Sequence, residues 1–111
     1  SSGNINFRFI VDPAIKSDQV FTSIQGINIY RIIQEAVHNA LKHSEAENID
    51  VEIKEMETFF QIEISDDGKG FDTHEIKLGH GINNIKKRAS ELKLPLEIIS
   101  SVGDGTTVRI G

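Results

Sequence analysis

The chain has 111 residues, of which 38% are apolar and 26% are charged, and it carries a formal net charge of -5 with a pI near 5.3. This composition is typical of one soluble globular domain. The acidic balance argues against a nucleic-acid surface, which needs clustered positive charge, so any phosphate site must be local. The absence of cysteine excludes disulfides and thiolate zinc sites and favours a reducing compartment, while the short apolar runs exclude a membrane span.

The two ends of the sequence predict a domain cut from a longer protein. Ser1, Ser2 and Gly3 resemble a cloning scar, so the domain itself is expected at residues 4–111. The sequence stops at Gly111, directly after a strand-like run.

The first predicted element is a strand from Ile5 to Val11. Apolar residues at alternating positions share one face of this strand, namely Ile5, Phe7, Phe9 and Val11. This period of two predicts a strand half buried against a core, and Asp12 with Pro13 ends it.

A long helix is expected next, capped by Thr22 or Ser23 and running to about His43. One side of it is apolar and is predicted to face a core: Ile29, Ile33, Ala36, Val37, Ala40 and Leu41. The other side gathers Glu35, Asn39 and Lys42, flanked by Arg31, His38 and His43.

The polar side of this helix suggests a binding site for a magnesium ion and for the phosphates that the ion coordinates. A carboxylate and a carboxamide four residues apart supply two hard oxygen ligands, and Lys42 supplies a cation one turn further on. The same residues also fit an ordinary solvated helix face, so the pattern alone leaves both interpretations open.

Two further strands are predicted to form an antiparallel hairpin. Ile49, Val51 and Ile53 alternate with polar residues, residues 56–58 form a turn, and Phe60, Ile62 and Ile64 alternate in the same way.

The third strand runs directly into Asp66, Gly68 and Gly70, a DxGxG pattern. Glycines permit positive φ and let a planar ligand lie close to the backbone. An ionised Asp66 accepts hydrogen bonds only, which selects a ligand edge that donates, such as the amine of adenine. The alternative is a strand that simply ends in a turn.

Two more glycine pairs follow. Residues 71–80 lack periodicity and are predicted to be a mobile loop that ends at Gly79, His80 and Gly81, where a helix begins. Free N–H groups and the positive end of the helix dipole suit phosphate there, although a flexible linker explains the pair equally well. Gly103, Gly105 and Thr106 separate two last strands, and the second strand is predicted to point Val108 and Ile110 inward. A plain hairpin turn is the competing interpretation of the glycines.

Taken in order, these pieces resemble the GHKL superfamily of ATP-binding domains, which includes sensor histidine kinases, type II topoisomerases and MutL-type repair ATPases. The resemblance covers nearly the whole chain. It implies an α+β fold of the Bergerat type, a two-layer sandwich with a mixed, mainly antiparallel sheet on about three helices. QEAVHNALKHSEA, DDGKGF and GHGINNIKKRA are similar to histidine kinases of the nitrate-sensing and desaturase-regulating subgroup.

The resemblance also implies roles for individual residues. Glu35 matches the acidic residue of the family's asparagine-containing helix and is the candidate catalytic base, and Asn39 matches the magnesium ligand. The other matched nucleotide-binding residues are Lys42, His43, Asp66, Gly68, Gly70, Gly79, His80, Gly81, Gly103, Gly105 and Thr106.

Two positions depart from the family pattern. Asp67 stands where asparagine is usual in the wider superfamily, although the subgroup often has aspartate. Lys93, Leu94 and Pro95 stand where two glycines commonly end the last helix, which puts that helix end in doubt.

The function implied is that of a histidine kinase catalytic domain, which binds ATP with Mg²⁺ and transfers the γ-phosphoryl group to a histidine on a separate dimerisation helix. No histidine of this chain is expected to be the acceptor, since His38, His43, His74 and His80 all fall inside the nucleotide-binding pattern or its lid. The implied partners are the dimerisation helix of the parent protein and, indirectly, a response regulator.

The implied location is the cytoplasm, and the resemblance is compatible with a parent protein at the inner membrane. Three other functions stay open from the sequence: a serine kinase of the anti-sigma-factor type, a non-catalytic module that switches shape with ATP, and a domain that binds no nucleotide.

Overall fold

A computed structural model of the chain describes residues 5–12, 22–42, 45–55, 60–72 and 81–111. The elements in chain order are β1 (Asn6–Val11), α1 (Ser23–Lys42), β2 (Asn48–Glu55), β3 (Phe60–Asp66), α2 (Ile82–Leu92), β4 (Leu96–Ser100) and β5 (Thr106–Ile110). The strands form one sheet in the order β1-β2-β3-β5-β4, in which only β1 and β2 pair in parallel.

The predicted α+β class with a mixed, mainly antiparallel sheet is therefore confirmed. Two helices lie in the described ranges where about three were expected, and the predicted lid lies mostly outside these ranges, at residues 73–80. Neither α1 nor α2 has the length and apolarity that crossing a membrane requires.

The predicted hairpin is formed by β2 and β3. Val51 pairs with Ile64, and Ile53 pairs with Ile62. The turn expected at residues 56–58 lies outside the described part of the chain.

One face of the sheet is apolar and forms the core with the two helices. Strand residues Ile49, Val51, Ile62, Ile64, Val108 and Ile110 bury their side chains together with Ile32, Ala36, Ile82, Ile85 and Ala89 of the helices. The inward orientation predicted for Val108 and Ile110 is confirmed, since these side chains are 3% and 1% exposed. Alternation with period two explains why one face of β2, β3 and β5 supplies these core side chains.

The opposite face carries charged side chains that pair across strands. Arg109 of β5 contacts Glu63 of β3 and Glu97 of β4. Arg8 of β1 contacts Asp50 of β2. Because these pairs are exposed or only partly buried, each contributes little to the free energy of unfolding, and the face stays in water.

Helix α1 begins with the expected cap. The N–H of Gln25 donates to Thr22 Oγ1 at 3.1 Å, and Gln25 Oε1 accepts from the N–H of Thr22 at 2.9 Å, which is a capping box. The buried stripe of the helix is Asn28, Ile32, Ala36 and Ala40, each four residues from the last.

Two details of the predicted apolar side of α1 differ from the structure. Leu41 was expected in the core but is 46% exposed, while Ile32, which the prediction omitted, is fully buried. The stripe that packs follows the spacing of four residues, and Leu41 lies about 100° around the helix from Ala40, so it turns away.

The burial predicted for β1 was wrong. Phe7 and Phe9 are each 54% exposed, Val11 is 48% exposed, and Ile5 is 37% exposed. Phe7 pairs with Ile49 in parallel register and so shares its face of the sheet. The strand lies at the sheet edge, however, and the core of the described residues includes none of its side chains.

The end of α2, which lacks the family's glycines, is closed by two backbone hydrogen bonds. The N–H of Lys93 donates to Ser90 O at 3.0 Å, and the N–H of Leu94 donates to Ala89 O at 3.3 Å. These are the two bonds of a Schellman motif. Lys93 adopts φ 59° to make them, so a non-glycine residue carries the left-handed conformation.

Candidate functional site

Three polar side chains stand in one row across the sheet, at the edge of the apolar core. Asp66 of β3 pairs with Thr106 of β5, and Thr106 pairs with Ser100 of β4. Asp66 also pairs with Ile49 of β2, whose side chain is fully buried. Paired residues point to the same face, so the row lies on the face that the helices cover.

Asp66 is a half-buried carboxylate with a fixed backbone contact. Its Oδ1 accepts the N–H of Gly68 at 2.8 Å. Burial raises the pKa of Asp66, and the nearby charge of Asp67 adds to this, while the backbone N–H groups of Gly68 and Thr106 act in the opposite direction. When Asp66 is ionised, its carboxylate only accepts hydrogen bonds, and it does so at the rim of the core.

Asp67 has a structural task instead. Its Oδ1 accepts the N–H groups of Glu47 at 2.9 Å and Asn48 at 2.8 Å, and its Oδ2 accepts Asn48 Nδ2 at 2.6 Å. These donors, the Asn48 side chain first, lower the pKa of Asp67. A carboxylate accepts hydrogen bonds only and so suits three donors, which gives a physical reason for aspartate at this departure from the family pattern.

One glycine of the first pair and one of the third pack directly on backbone atoms. Gly70 has φ 63°, and a Cβ there would lie 2.1 Å from Ser101 O. Gly105 has φ 72°, and a Cβ there would lie 2.1 Å from Asp66 O. Both positions exclude a side chain, so the two loops are held against each other beside Asp66. Gly103, in contrast, has φ 90° with open space around it.

Ser100 is a member of this group that sequence reasoning missed. Its Oγ accepts the N–H of Phe71 at 2.9 Å, donates to Gly105 O at 3.0 Å, and lies 2.8 Å from Thr106 Oγ1. It thus connects the loop after β3 with the turn between β4 and β5. The available signal was a hydroxyl at the end of a strand that faces Thr106 across a short turn.

A second group of predicted residues meets where α2 begins. Gly81 caps α2 with φ 67°, and the N–H of Ile85 donates to its carbonyl at 3.0 Å. A Cβ at Gly81 would lie 2.2 Å from Glu35 Oε2 and 3.9 Å from Asn39 Oδ1. The structure therefore brings the polar side of α1 against the N-terminus of α2, where a side chain at Gly81 would displace the Glu35 carboxylate.

The amide oxygen of Asn39 is suited to a ligand. Among the described residues it is the side-chain oxygen that is buried and has no hydrogen-bond partner. A buried acceptor without a partner is costly, and an amide oxygen is a hard ligand that fits Mg²⁺. The described ranges contain no group of three or more histidine or acidic side chains that could hold a metal ion.

The remaining predicted residues are placed only in part. Lys42 is exposed in the last turn of α1. Arg31, near the middle of α1, donates a hydrogen bond to Gln34 Oε1 at 3.2 Å. Gly68 is buried beside Asp66. The predictions for His43, Gly79 and His80 lie outside the described residues.

The chain matches one protein family and is similar in sequence to several proteins of known name. Residues 25–111 match the family described as histidine kinase-, DNA gyrase B- and HSP90-like ATPases. The chain is 42% identical over 85 residues to the signal transduction histidine-protein kinase/phosphatase DegS of Brevibacillus brevis, covering 76% of this chain and 22% of that protein. It is 34% identical over 84 residues to the sensor histidine kinase LiaS of Bacillus subtilis. This match covers 75% of this chain and 23% of LiaS.

The chain therefore spans less than a quarter of the length of these curated relatives. A similar fold occurs in the histidine kinase domain of the Erythrobacter litoralis EL346 blue-light activated histidine kinase, with a TM-score of 0.75 and 22% identity over 97% of this chain and 51% of that one. The ATP binding domain of PrrB from Mycobacterium tuberculosis gives a TM-score of 0.65 and 18% identity, covering 76% and 65%.

Proposed function

Because the chain belongs to the family of histidine kinase-, DNA gyrase B- and HSP90-like ATPases, we propose that it binds ATP with Mg²⁺ and transfers the γ-phosphoryl group to a histidine on a separate dimerisation domain of its parent protein. The observation that carries this proposal is the buried, unpartnered Asn39 oxygen beside Glu35 at the start of α2. An ATPase family implies the nucleotide, while the metal and the acceptor belong to the proposal.

The base of the nucleotide would be read at Asp66. An ionised carboxylate only accepts hydrogen bonds, and adenine presents an exocyclic amine where guanine presents a carbonyl. Gly68, Gly70 and Gly105 belong to the proposed base-binding set, in which Gly70 and Gly105 let two loops pack against each other beside this carboxylate. Thr106 lies next to the carboxylate in the row.

The phosphates would lie towards the N-terminus of α2. Asn39 would hold the metal ion through Oδ1, and the ion, when bound, supplies neutralisation of the charge that develops on the phosphoryl oxygens. Gly81 offers its backbone at the positive end of the helix dipole. Lys42, His43, Gly79 and His80 complete the proposed phosphate-binding set.

Glu35 would act as the base that orients or deprotonates the attacking histidine of the dimerisation helix. Its carboxylate lies against Gly81, where a side chain would displace it. In this proposal Glu35 would lie where the phosphates and the entering histidine meet. The remaining partner would be a response regulator, acting after the histidine is phosphorylated, and the domain would work on the cytoplasmic side of the membrane.

Calorimetric titration of the chain with ATP and GTP, each with Mg²⁺, tests the nucleotide proposal. We expect binding of ATP and clearly weaker binding of GTP. The transfer proposal is tested in the longer protein that contains the dimerisation helix, where incubation with γ-labelled ATP should place label on a histidine. Label on serine of another protein would support the anti-sigma-factor type, and binding without transfer would support the non-catalytic module.

A further inference from the structure

The hydroxyl of Ser100 lies within hydrogen-bond distance of three groups, and these contacts constrain where its proton and the Thr106 proton go. A serine hydroxyl has one proton and two acceptor lone pairs. The N–H of Phe71 occupies one lone pair at 2.9 Å, and the serine proton goes to Gly105 O at 3.0 Å. The contact of 2.8 Å with Thr106 Oγ1 then uses the second lone pair. Either hydroxyl could donate in this contact, and we assign the donor role to Thr106, because the carbonyl of Gly105 can only accept and so takes the serine proton.

This assignment constrains what Thr106 offers to a ligand. Its only hydroxyl proton points to Ser100, so its oxygen turns lone pairs, and no proton, to the rest of its surroundings. Thr106 stands beside Asp66 in the row across the sheet. The ionised Asp66 is also an acceptor without a proton. The row therefore presents two neighbouring acceptors.

We infer that Ser100 is a positioning residue that holds the Thr106 hydroxyl as an acceptor and thereby sharpens the preference of the site for a purine that carries a 6-amine. The inference rests on the proposed binding of an adenine nucleotide. With Ser100 removed, the Thr106 hydroxyl rotates freely and donates to a 6-carbonyl as readily as it accepts from a 6-amine. Ser100 would not need to touch the nucleotide for this effect.

The test compares ATP with inosine triphosphate, which carries a carbonyl at position 6, by calorimetric titration in the presence of Mg²⁺. In the unchanged chain we expect ATP to bind more tightly. In Ser100→Ala, the ratio of the two affinities should fall by about tenfold, the effect of one hydrogen bond. Ser100→Thr keeps the hydroxyl and should keep the ratio.

Ser101→Ala is the matched control, because the Ser101 hydroxyl lies in the same turn but donates to Asp104 Oδ2. It should leave the ratio unchanged. If Ser100→Ala weakens ATP and inosine triphosphate equally, Ser100 only clamps the loops and the inference is overturned.

Thr106→Val keeps the test valid if Ser100→Ala does not fold, since it removes the hydroxyl with little change of shape. The ratio should fall in this variant too, and an unchanged ratio would overturn the inference. An unchanged chain that binds neither nucleotide would contradict the proposed function itself, which distinguishes the two failures.

Discussion

Asp66 and Asp67 are adjacent in the chain, yet the pKa of the first is raised and the pKa of the second is lowered. The side chain of Asp66 is half buried at the rim of the core, where losing water disfavours the charged form. Asp67 is exposed and accepts three N–H hydrogen bonds from Glu47 and Asn48, which favour the charged form. The end of β3 therefore combines a carboxylate suited to a ligand with one that fastens β2 to β3.

The contribution of Asp67 to the free energy of unfolding should decrease as the pH falls. Its folded pKa is lowered, so the stabilisation is fully present above the unfolded value of about 4 and is lost as the pH falls through the folded value. We expect Asp67→Ala to unfold at lower urea concentration than the unchanged chain at pH 7. The difference should shrink below about pH 4. A difference that stays constant over this pH range would contradict the role given to Asp67.

The contribution of Asp66 to the free energy of unfolding should change with pH in the opposite direction. Its folded pKa is raised, so its contribution to stability is greatest at low pH and falls as the pH rises from the ordinary value to the raised one. At pH 7 we expect Asp66→Asn to be at least as stable as the unchanged chain in urea unfolding, while its preference for ATP over GTP falls. Asp67→Asn is the control, and it should keep the nucleotide preference. Loss of stability in Asp66→Asn at pH 7 would argue against the burial effect.

Substitutions at Gly105 and Gly103 distinguish the cost of a steric clash from the cost of a positive φ alone. Both have positive φ, but a Cβ at Gly105 would lie 2.1 Å from Asp66 O, whereas a Cβ at Gly103 meets no atom within 4 Å. Gly103→Ala should lower the free energy of unfolding by about 1–2 kcal/mol, the cost of the left-handed conformation. Gly105→Ala should cost clearly more, roughly 3 kcal/mol or above, because β3 must also move. Equal losses in guanidinium unfolding would contradict the contact.

Asn39 and Glu35 should separate binding from transfer. Asn39→Ala should reduce the Mg²⁺-dependent part of ATP affinity, because the buried oxygen that suits the metal is removed. Glu35→Gln should leave ATP affinity nearly unchanged and abolish phosphoryl transfer in the protein with its dimerisation helix. The measurements are titration with and without Mg²⁺ and a labelling assay. If both variants lost ATP affinity alike, Glu35 would have no support as the base.

Lys93 offers a stabilising substitution away from the site. It carries φ 59° in the motif that closes α2, a conformation that glycine adopts without strain. Lys93→Gly should raise the free energy of unfolding by roughly 0.5–1 kcal/mol, since part of the relief is offset by the freer unfolded chain. Thermal unfolding would show this, and unchanged nucleotide titration would confirm that the site is not involved. A lower melting temperature would contradict the strain at Lys93.

Local pattern was sufficient for the elements and for part of the site. Alternation with period two predicted the β2–β3 hairpin and the inward side chains of β5, because strand geometry alone assigns neighbours to opposite faces. The cap at Thr22 followed from its side chain, which satisfies N–H groups only a few residues away. Asp66 was selected as a candidate because a carboxylate and two glycines at a strand end are local features.

Tertiary contacts decided the rest. The apolar face of β1 has the pattern of a buried strand, and its exposure follows from its place at the sheet edge, which periodicity does not encode. Ser100 contacts Phe71, and Gly81 contacts Glu35. Both contacts join segments that are far apart in the chain. The local pattern marked Gly81 as a glycine at a helix start, but it did not predict either contact, because each contact depends on the atom that the fold places opposite the residue.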